Sequence, residues 1–281
     1  MRHYDYLIVG GGCAGLSLAW QLLSACGQET RILILDRDAK KQDDRSWACW
    51  TAGDLPLGLD AIVHHRWSNL AFATASFTRR QALHPYTYQL IRGIDYYDFM
   101  RQRLSACPQV EWVIAEVEAV GQNAEAAWVC AGEETFTGAY LFDSRPQLAH
   151  ADTGGKAYFL WQHFHGIRIR TTQTTFDADT ATLMDFRAIP AGQTAFFYVL
   201  PFSAHEALVE FTAFSAQVAE LTYYEAQLRR YCEQVLGLAD YEVLSTETGQ
   251  IPMTNRALYP EPQGRIHPIG TAAACVKPTT G

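Results

Sequence analysis

Residues Tyr4 to Asp36 constrain this chain more than any other stretch. An apolar run, Tyr6–Val9, leads straight into Gly10-Gly11-Gly12-Cys13-Ala14-Gly15, and a second apolar run, Arg31–Leu35, ends on Asp36. The spacing predicts a buried strand, a helix over Ala14–Cys26 and a second strand parallel to the first. Gly10 permits the tight turn, Gly12 lets backbone approach a pyrophosphate, and Gly15 lets the helix lie close on the strand. The helix N-terminus then turns its free amides and positive dipole end towards the phosphates. Asp36 is placed to accept ribose hydroxyls. An acid there, followed by Arg37, favours FAD or NAD over NADP at this site. A lone glycine motif arises often by chance; strand, helix, second strand and terminal acid in register are a much stronger signal.

The 281 residues can bury a substantial core and predict two structural regions. Net charge −8 opposes nucleic-acid binding, which needs clustered Lys and Arg, and simple adsorption to anionic lipid. Seven scattered cysteines form no CxxC pair, which fits a reducing cytosol. No run reaches the length of a spanning helix, so a soluble or peripheral protein is expected. Aromatics are abundant, with seven Trp, fourteen Tyr and fourteen Phe. They read as ordinary core or as the wall of a long apolar substrate site.

Ser46–Trp50 reads as a loop carrying buried aromatics. Residues Ile91–Ser105 have helical spacing, with Ile94, Tyr97, Phe99 and Leu104 inward. Val110–Val120, Ala127–Ala131 and Thr135–Phe142 read as strands, the last ending on Asp143 at the ligand-facing edge of a doubly wound sheet. From Gly154 the texture changes. Tyr158–Arg170, Thr182–Ala188, Thr194–Leu200 and Ala207–Phe214 predict a largely antiparallel sheet, Leu221–Leu236 an amphipathic helix, and Gly249–Met253 a breaker-bounded return. Arg265–Ala274 reads as strand, glycine and helix start, with Gly270 at a second place where a helix N-terminus faces a diphosphate or ribityl chain. The expected division is residues 1–153 for nucleotide binding, 154–258 for substrate and 259–281 as a return to the first. The short tail after Gly270 leads us to expect a C-terminally incomplete sequence.

His163 and His165 share a strand face, but without a further Cys or acid at metal spacing they read as packing or hydrogen-bonding residues, and no metal is expected. Glu210 sits in an apolar segment, where burial without a cation partner would raise its pKa. Alternation puts Leu208, Glu210 and Thr212 on one face without deciding whether that face is buried. Asp185, next but one to Arg187, reads equally as a site acid or as half of a structural ion pair.

The motifs Asp5–Gly15, Arg45-Ser46-Trp47, Gln162-His163-Phe164-x-Gly166, Met184-Asp185-Phe186-Arg187, Leu208–Thr212, Gly249–Met253 and Lys277–Gly281 together resemble the flavin-dependent lycopene cyclase family, closest to the bacterial lycopene β-cyclases, across essentially the whole chain. The first motif is shared by many flavoproteins; the later ones, in this order, are more specific. The resemblance implies an α/β, p-hydroxybenzoate hydroxylase-like flavoprotein: a Rossmann-like FAD-binding domain with a largely antiparallel substrate domain. It implies FAD, active when reduced, with NAD(P)H as reductant. It also implies a linear carotenoid such as lycopene as substrate, drawn from the membrane surface by a cytoplasmic, peripherally associated enzyme. The implied reaction closes the ψ-ends to β-ionone rings without net redox change. Glu210 would be the catalytic acid, with Asp185 shaping the cation pocket; Gly10, Gly12, Gly15, Asp36, Asp143 and Gly270 would surround the cofactor. Related motifs carry a second acid where this chain has Phe211. Two rival readings share the fold. A redox flavoenzyme, an isoprenoid reductase or hydroxylase, would more often carry Gly-Asp-Ala where this chain has Gly270-Thr271-Ala272. A non-enzymatic lipid-binding relative is opposed by the intact glycine loop and Asp36.

Overall fold

The computed structural model describes residues 3–27, 29–148, 158–259 and 264–276. The motif Lys277–Gly281 and the expected boundary near residue 153 lie outside them. The chain divides into two compact units.

The first unit draws on residues within 1–42, 94–158 and 254–277. Its strands are β1 (His3–Val9), β2 (Ile32–Asp36), β8 (Val110–Ile114), β9 (Ala119–Gln122), β10 (Ala127–Ala131), β11 (Glu134–Asp143) and β17 (Ile266–Pro268). They form one sheet in the order β8-β2-β1-β11-β10-β9, with β17 also on β11. The β8, β2, β1, β11 and β17 pairings are parallel, and β9, β10 and β11 are antiparallel. Leu7, Leu33, Val129 and Leu141 are fully buried in its core. Helix α1 (Cys13–Cys26) follows β1 as expected. Helix α2 (Gly93–Ser105) buries Tyr96, Tyr97, Met100 and Leu104 rather than Ile94 and Phe99. The Tyr96 hydroxyl reaches the carbonyl of Cys13 and the hydroxyl of Ser17, steadying the start of α1. The expected single strand over Val110–Val120 is two strands on opposite edges of the sheet, because the chain crosses over between Ile114 and Ala119.

The second unit draws on residues within 43–93 and 159–253, so the segment 43–93 packs here and not with the nucleotide-binding region that the sequence assigned it to. The reason is strand pairing. β5 (Asn69–Ala73) runs parallel to β13 (Thr180–Asp185) and carries β6 (Thr78–Ala82) on its other edge. With β12 (Phe159–Arg170), β14 (Thr194–Pro201), β15 (Glu206–Ser215) and β16 (Glu242–Thr254) they form a largely antiparallel sheet ordered β16-β12-β15-β14-β13-β5-β6. Ser46–Trp50 is not a loop but most of strand β3 (Ser46–Thr51), which pairs with β7 (Thr87–Arg92), itself paired with β4 (His65–Trp67). The expected return at Gly249–Met253 lies inside β16, because β16 is an edge strand, where a proline such as Pro252 interrupts no second ladder.

Alternation splits the second sheet into two faces. One carries Phe197, Val209 and Phe211 against α3 (Leu221–Gln234), where Phe197 stacks on Tyr231 with centroids 4.0 Å apart. The other carries Phe196, Tyr198, Leu200 and Leu208 against Trp67, Tyr88 and Leu90. Phe197 is fully buried. Replacing it with Ala should cost about 3–5 kcal/mol of stability, the range of large-to-small core truncations, measured by urea unfolding; a loss under about 1 kcal/mol would contradict this packing.

Candidate active site

In the first unit the glycine loop joins β1 to α1. Gly10 has φ +106°, and a Cβ there would fall 2.0 Å from Ser144 Oγ; a Cβ at Gly15 would fall 2.0 Å from the carbonyl oxygen of Gly10. Both positions therefore exclude side chains for reasons internal to the fold. Gly12 differs. It is the N-cap of α1, and a Cβ there would meet nothing within 4 Å. The first turn of α1 holds no acid, and no side chain caps it. An open glycine at an uncapped helix N-terminus suits a phosphate group, so the residues present fit a dinucleotide. Asp36 accepts from the amides of Gly11 at 2.6 Å and Asp38 at 2.8 Å and lies 3.9 Å from Lys40 Nζ, which ties the loop to the end of β2. Gly270 begins a short 3-10 helix and lies against Ala14.

Asp143 ends β11 fully buried. Arg145 grips it bidentately at 2.9 and 2.8 Å, and the Tyr259 hydroxyl donates at 3.2 Å. Asp185 repeats this arrangement in the second unit: fully buried, held by Arg187 Nε at 3.0 Å and Nη2 at 2.5 Å, with the Tyr231 hydroxyl donating at 2.7 Å. Both acids thus stand in structural ion pairs. Asp185 lies on the α3 face of its sheet. His163 and His165 are on that face too, hydrogen-bonded to Tyr224, Ser215 and Thr248, and burial pushes both imidazoles to lower pKa.

Glu210 projects from the opposite face, so the sheet separates it from Asp185. It pairs across the sheet with Tyr198 on β14 and Gly166 on β12. Beyond β12 lies β16, which carries Glu247. A Cβ at Gly166 would sit 3.2 Å from Glu247 Cγ and 3.5 Å from Glu210 Cβ, and that gap lets the two carboxyl groups come within reach of each other. Two further hydroxyls fix the pair: Thr212 Oγ1 donates to Glu210 Oε1 at 2.7 Å, and Ser46 Oγ donates to Glu247 Oε2 at 2.7 Å. Phe164 covers Gly249 on the same edge. Glu247 carries no sequence expectation above. The signal that could have found it is the glycine in Gln162-His163-Phe164-x-Gly166, since a glycine inside a strand marks a close approach.

Burial, then the negative charge of Glu247, push the Glu210 carboxyl up to about 8, against a partial pull downward from Thr212. Burial also raises Glu247, while Ser46 and the bond from Glu210 lower it. Tyr88 and Tyr198, both buried, feel the same charge: desolvation first and Glu210 second raise their hydroxyls. Tyr88 also packs against Trp50 and Trp67, and Tyr198 against Phe196. The arrangement favours the protonated form of the Glu210 carboxyl, set against an aromatic wall.

A mixed sheet whose parallel strands lead into a glycine loop, in one chain with a largely antiparallel sheet, is the build of the p-hydroxybenzoate hydroxylase-like fold. Solved structures bear out that fold. A flavin-dependent brominase matches with TM-score 0.69 at 15% identity, over 97% of this chain and 72% of its own. A geranylgeranyl bacteriochlorophyll reductase-like protein of Thermoplasma acidophilum matches with TM-score 0.71 at 14% identity, over 100% and 74%. The chain belongs to the lycopene cyclase family: the family pattern described as "Lycopene cyclase protein" matches residues 5–281. Chloroplastic neoxanthin synthases of Solanum tuberosum and Solanum lycopersicum are 22% and 23% identical over 99% of this chain, which spans 57% of their length.

The raised acid has a thermodynamic signature. An unfolded Glu ionises near about 4.3, so from there up to about 8 the folded protein keeps a proton that the unfolded chain has released. The contribution of Glu210 to stability therefore falls as pH rises through that window and levels off above it. Glu210→Gln should flatten that part of the dependence when the urea midpoint is followed against pH. Parallel curves for the two proteins would place the Glu210 carboxyl outside this environment.

Proposed function

We propose that the protein is a lycopene β-cyclase in carotenoid biosynthesis, an intramolecular lyase or isomerase that closes the linear ψ-ends of lycopene to β-ionone rings. The observation that carries this reading is Glu210, a buried acid without a cation partner among the described residues, whose pKa burial raises beside aromatic side chains, in a chain of the lycopene cyclase family. Protonated Glu210 donates to a terminal carbon–carbon double bond, forming a C–H bond and a tertiary cation. A neighbouring double bond attacks the cation to close the six-membered ring, and loss of a proton completes an isomerisation. General acid catalysis of this kind works best when the acid's pKa lies near the working pH. The aromatic faces around Tyr88 and Tyr198 can stabilise positive charge through their quadrupoles. Asp185, on the far face of the sheet, would act by holding β13 to α3 through Arg187 and Tyr231.

FAD is the proposed cofactor, with its diphosphate on the Gly10–Gly15 loop, Asp36 at the adenosine ribose, and Asp143 and Gly270 at the neighbouring strand end and turn. When bound and reduced by NAD(P)H, FAD supplies an electron-rich ring that stabilises cationic charge. The proposed setting is the cytoplasmic membrane surface, where a bilayer-soluble substrate can enter. Among the described residues no helix is long and apolar enough to cross a membrane.

Glu210→Gln keeps shape and hydrogen-bonding capacity but removes the acid proton, so ring closure should fall by about 10²–10⁴-fold. Substrate and product should have equal mass, and no stoichiometric NAD(P)H should be consumed once the flavin is reduced. A mass change of two hydrogens or one oxygen would replace this reading with a redox one, the chemistry of several solved relatives.

The two glycine positions give a test that needs no turnover. Gly12→Ala places a methyl in open space, so melting temperature should hold while FAD retention falls. Gly15→Ala drives a methyl into the carbonyl of Gly10 and should damage the fold itself. Full FAD retention in folded Gly12→Ala would move the diphosphate elsewhere.

A further inference from the structure

Glu247 has no part in the reaction as written, yet three of the chain's distinctive motifs converge on it. Ser46 donates to it, Gly166 clears the space beside it, and Glu210 reaches it across that space. A carboxylate only accepts hydrogen bonds, so a bond between two carboxyl groups requires that they hold a proton between them. Like charges at this separation resist ionising together. Half-buried Glu247 also lines a small cleft of about 30 Å³, room enough for a water molecule, where Leu90, Phe202 and Leu208 form the apolar wall and Ser46, Asp43, Arg92, Arg168 and Ser245 supply polar groups. Asp43 and Ser245 on the cleft are exposed, Glu247 is half-buried and Glu210 is buried, so Glu247 is the member of the pair nearer to solvent. The groups that face the pair come from every element packed on it: Tyr88 and Arg92 of β7, Arg168 of β12, Tyr198 of β14, Thr212 of β15, Ser46 of β3, and the charges of Asp43 and Arg45 before β3.

We infer that Glu247 is a proton-relay partner of Glu210: it takes a proton from water on its cavity side and passes it across the inter-carboxyl hydrogen bond, so that Glu210 begins each reaction protonated. The balance is simple. When Glu210 gives its proton to a substrate double bond, the O–H bond breaks, a C–H bond forms, and two carboxylates are left facing each other. Their repulsion drives uptake of one proton. A new O–H bond forms on Glu247 as water gives up a proton, and the proton then exchanges to Glu210. The proton later shed by the ring cation returns to water, so the cycle consumes none. Glu247 touches no reacting atom and is a positioning residue acting through Glu210.

The inference rests on the acid role proposed for Glu210, and its test begins with a readout that needs no substrate. In the purified protein, the infrared C=O stretch of a buried carboxylic acid should disappear with a midpoint near about 8 and be absent from Glu210→Gln. In Glu247→Gln the midpoint should drop by about 1 unit or more, since the like charge that holds the proton on Glu210 is gone. Steady-state ring closure should fall about 10–100-fold, short of the loss of the acid itself. KM should hold, the high-pH limb should move down with the infrared midpoint, and Glu247→Asp should recover part of the rate. Should Glu247→Gln fail to fold, Gly166→Ala carries the same test by wedging a methyl between the two side chains, and its infrared midpoint should fall likewise. An unmoved midpoint, or a Glu247→Gln rate equal to wild type, overturns the relay and leaves the cyclase reading standing. A midpoint that shifts as expected in a protein that closes no ring supports the pair and overturns the cyclase reading alone.

Discussion

Glu210 and Glu247 stand on strands that are not neighbours, and their contact sets the terms for everything around them. Adjacent strands lie about 4.8 Å apart, so two positions with a strand between them are separated by about 10 Å. Glutamate side chains can close that distance only if the intervening position offers no side chain and if one carboxyl keeps its proton. Gly166 meets the first condition. The second follows from burial beneath Tyr88, Tyr198 and Leu208, which makes a second negative charge too costly. The register of β12 against β15 is therefore a chemical requirement as well as a packing solution: a slip of one residue would replace Gly166 opposite Glu210 with His165 or Ile167 and turn Glu210 to the other face.

The two faces of that sheet divide the work. On the α3 side, Asp185 is saturated by Arg187 and Tyr231, and His163 and His165 by hydroxyls, so the polar groups there are consumed in fastening strands to the helix. Asp143, Arg145 and Tyr259 do the same at the end of β11 in the other unit. An acid followed two residues later by an arginine, with a tyrosine hydroxyl added from a distant segment, is this chain's recurring way of ending a strand on a buried carboxylate. What sets Glu210 apart is that no cation reaches it among the described residues. Its partners are a threonine hydroxyl and another acid, which leave its proton available.

Local periodicity carried much of the fold. The glycine loop, α1, α3 and the strands around Phe164, Phe197 and Glu210 all follow from spacing, because each buries a face whose pattern is complete within its own segment. The misreadings have a common cause in pairing. Ser46–Trp50 lacks the alternation of a strand and becomes one only through its ladder with β7. Gly249 and Pro252 look like breakers until β16 is known to be an edge strand with Phe164 lying over the glycine. Glu247 was invisible for the same reason. Nothing near it in sequence announces a site, and its meaning comes from Gly166, Ser46 and Glu210, which belong to three other strands.

The same physics bears on where this protein differs from relatives that share its fold. A glycine loop with an acid at the next strand end serves any dinucleotide enzyme, and the likeness to brominase and reductase structures at 14–15% identity extends to the fold alone. The reaction proposed above, without net redox, would ask something else of the protein, namely a proton held at neutral pH in a place water does not dominate. A lone buried glutamate would keep its proton but have no path to regain it, while a solvated one would lose it. A buried acid beside a half-buried one that lines a small cleft with polar groups would satisfy both demands. Strand order and a single glycine between the two acids are enough to build it.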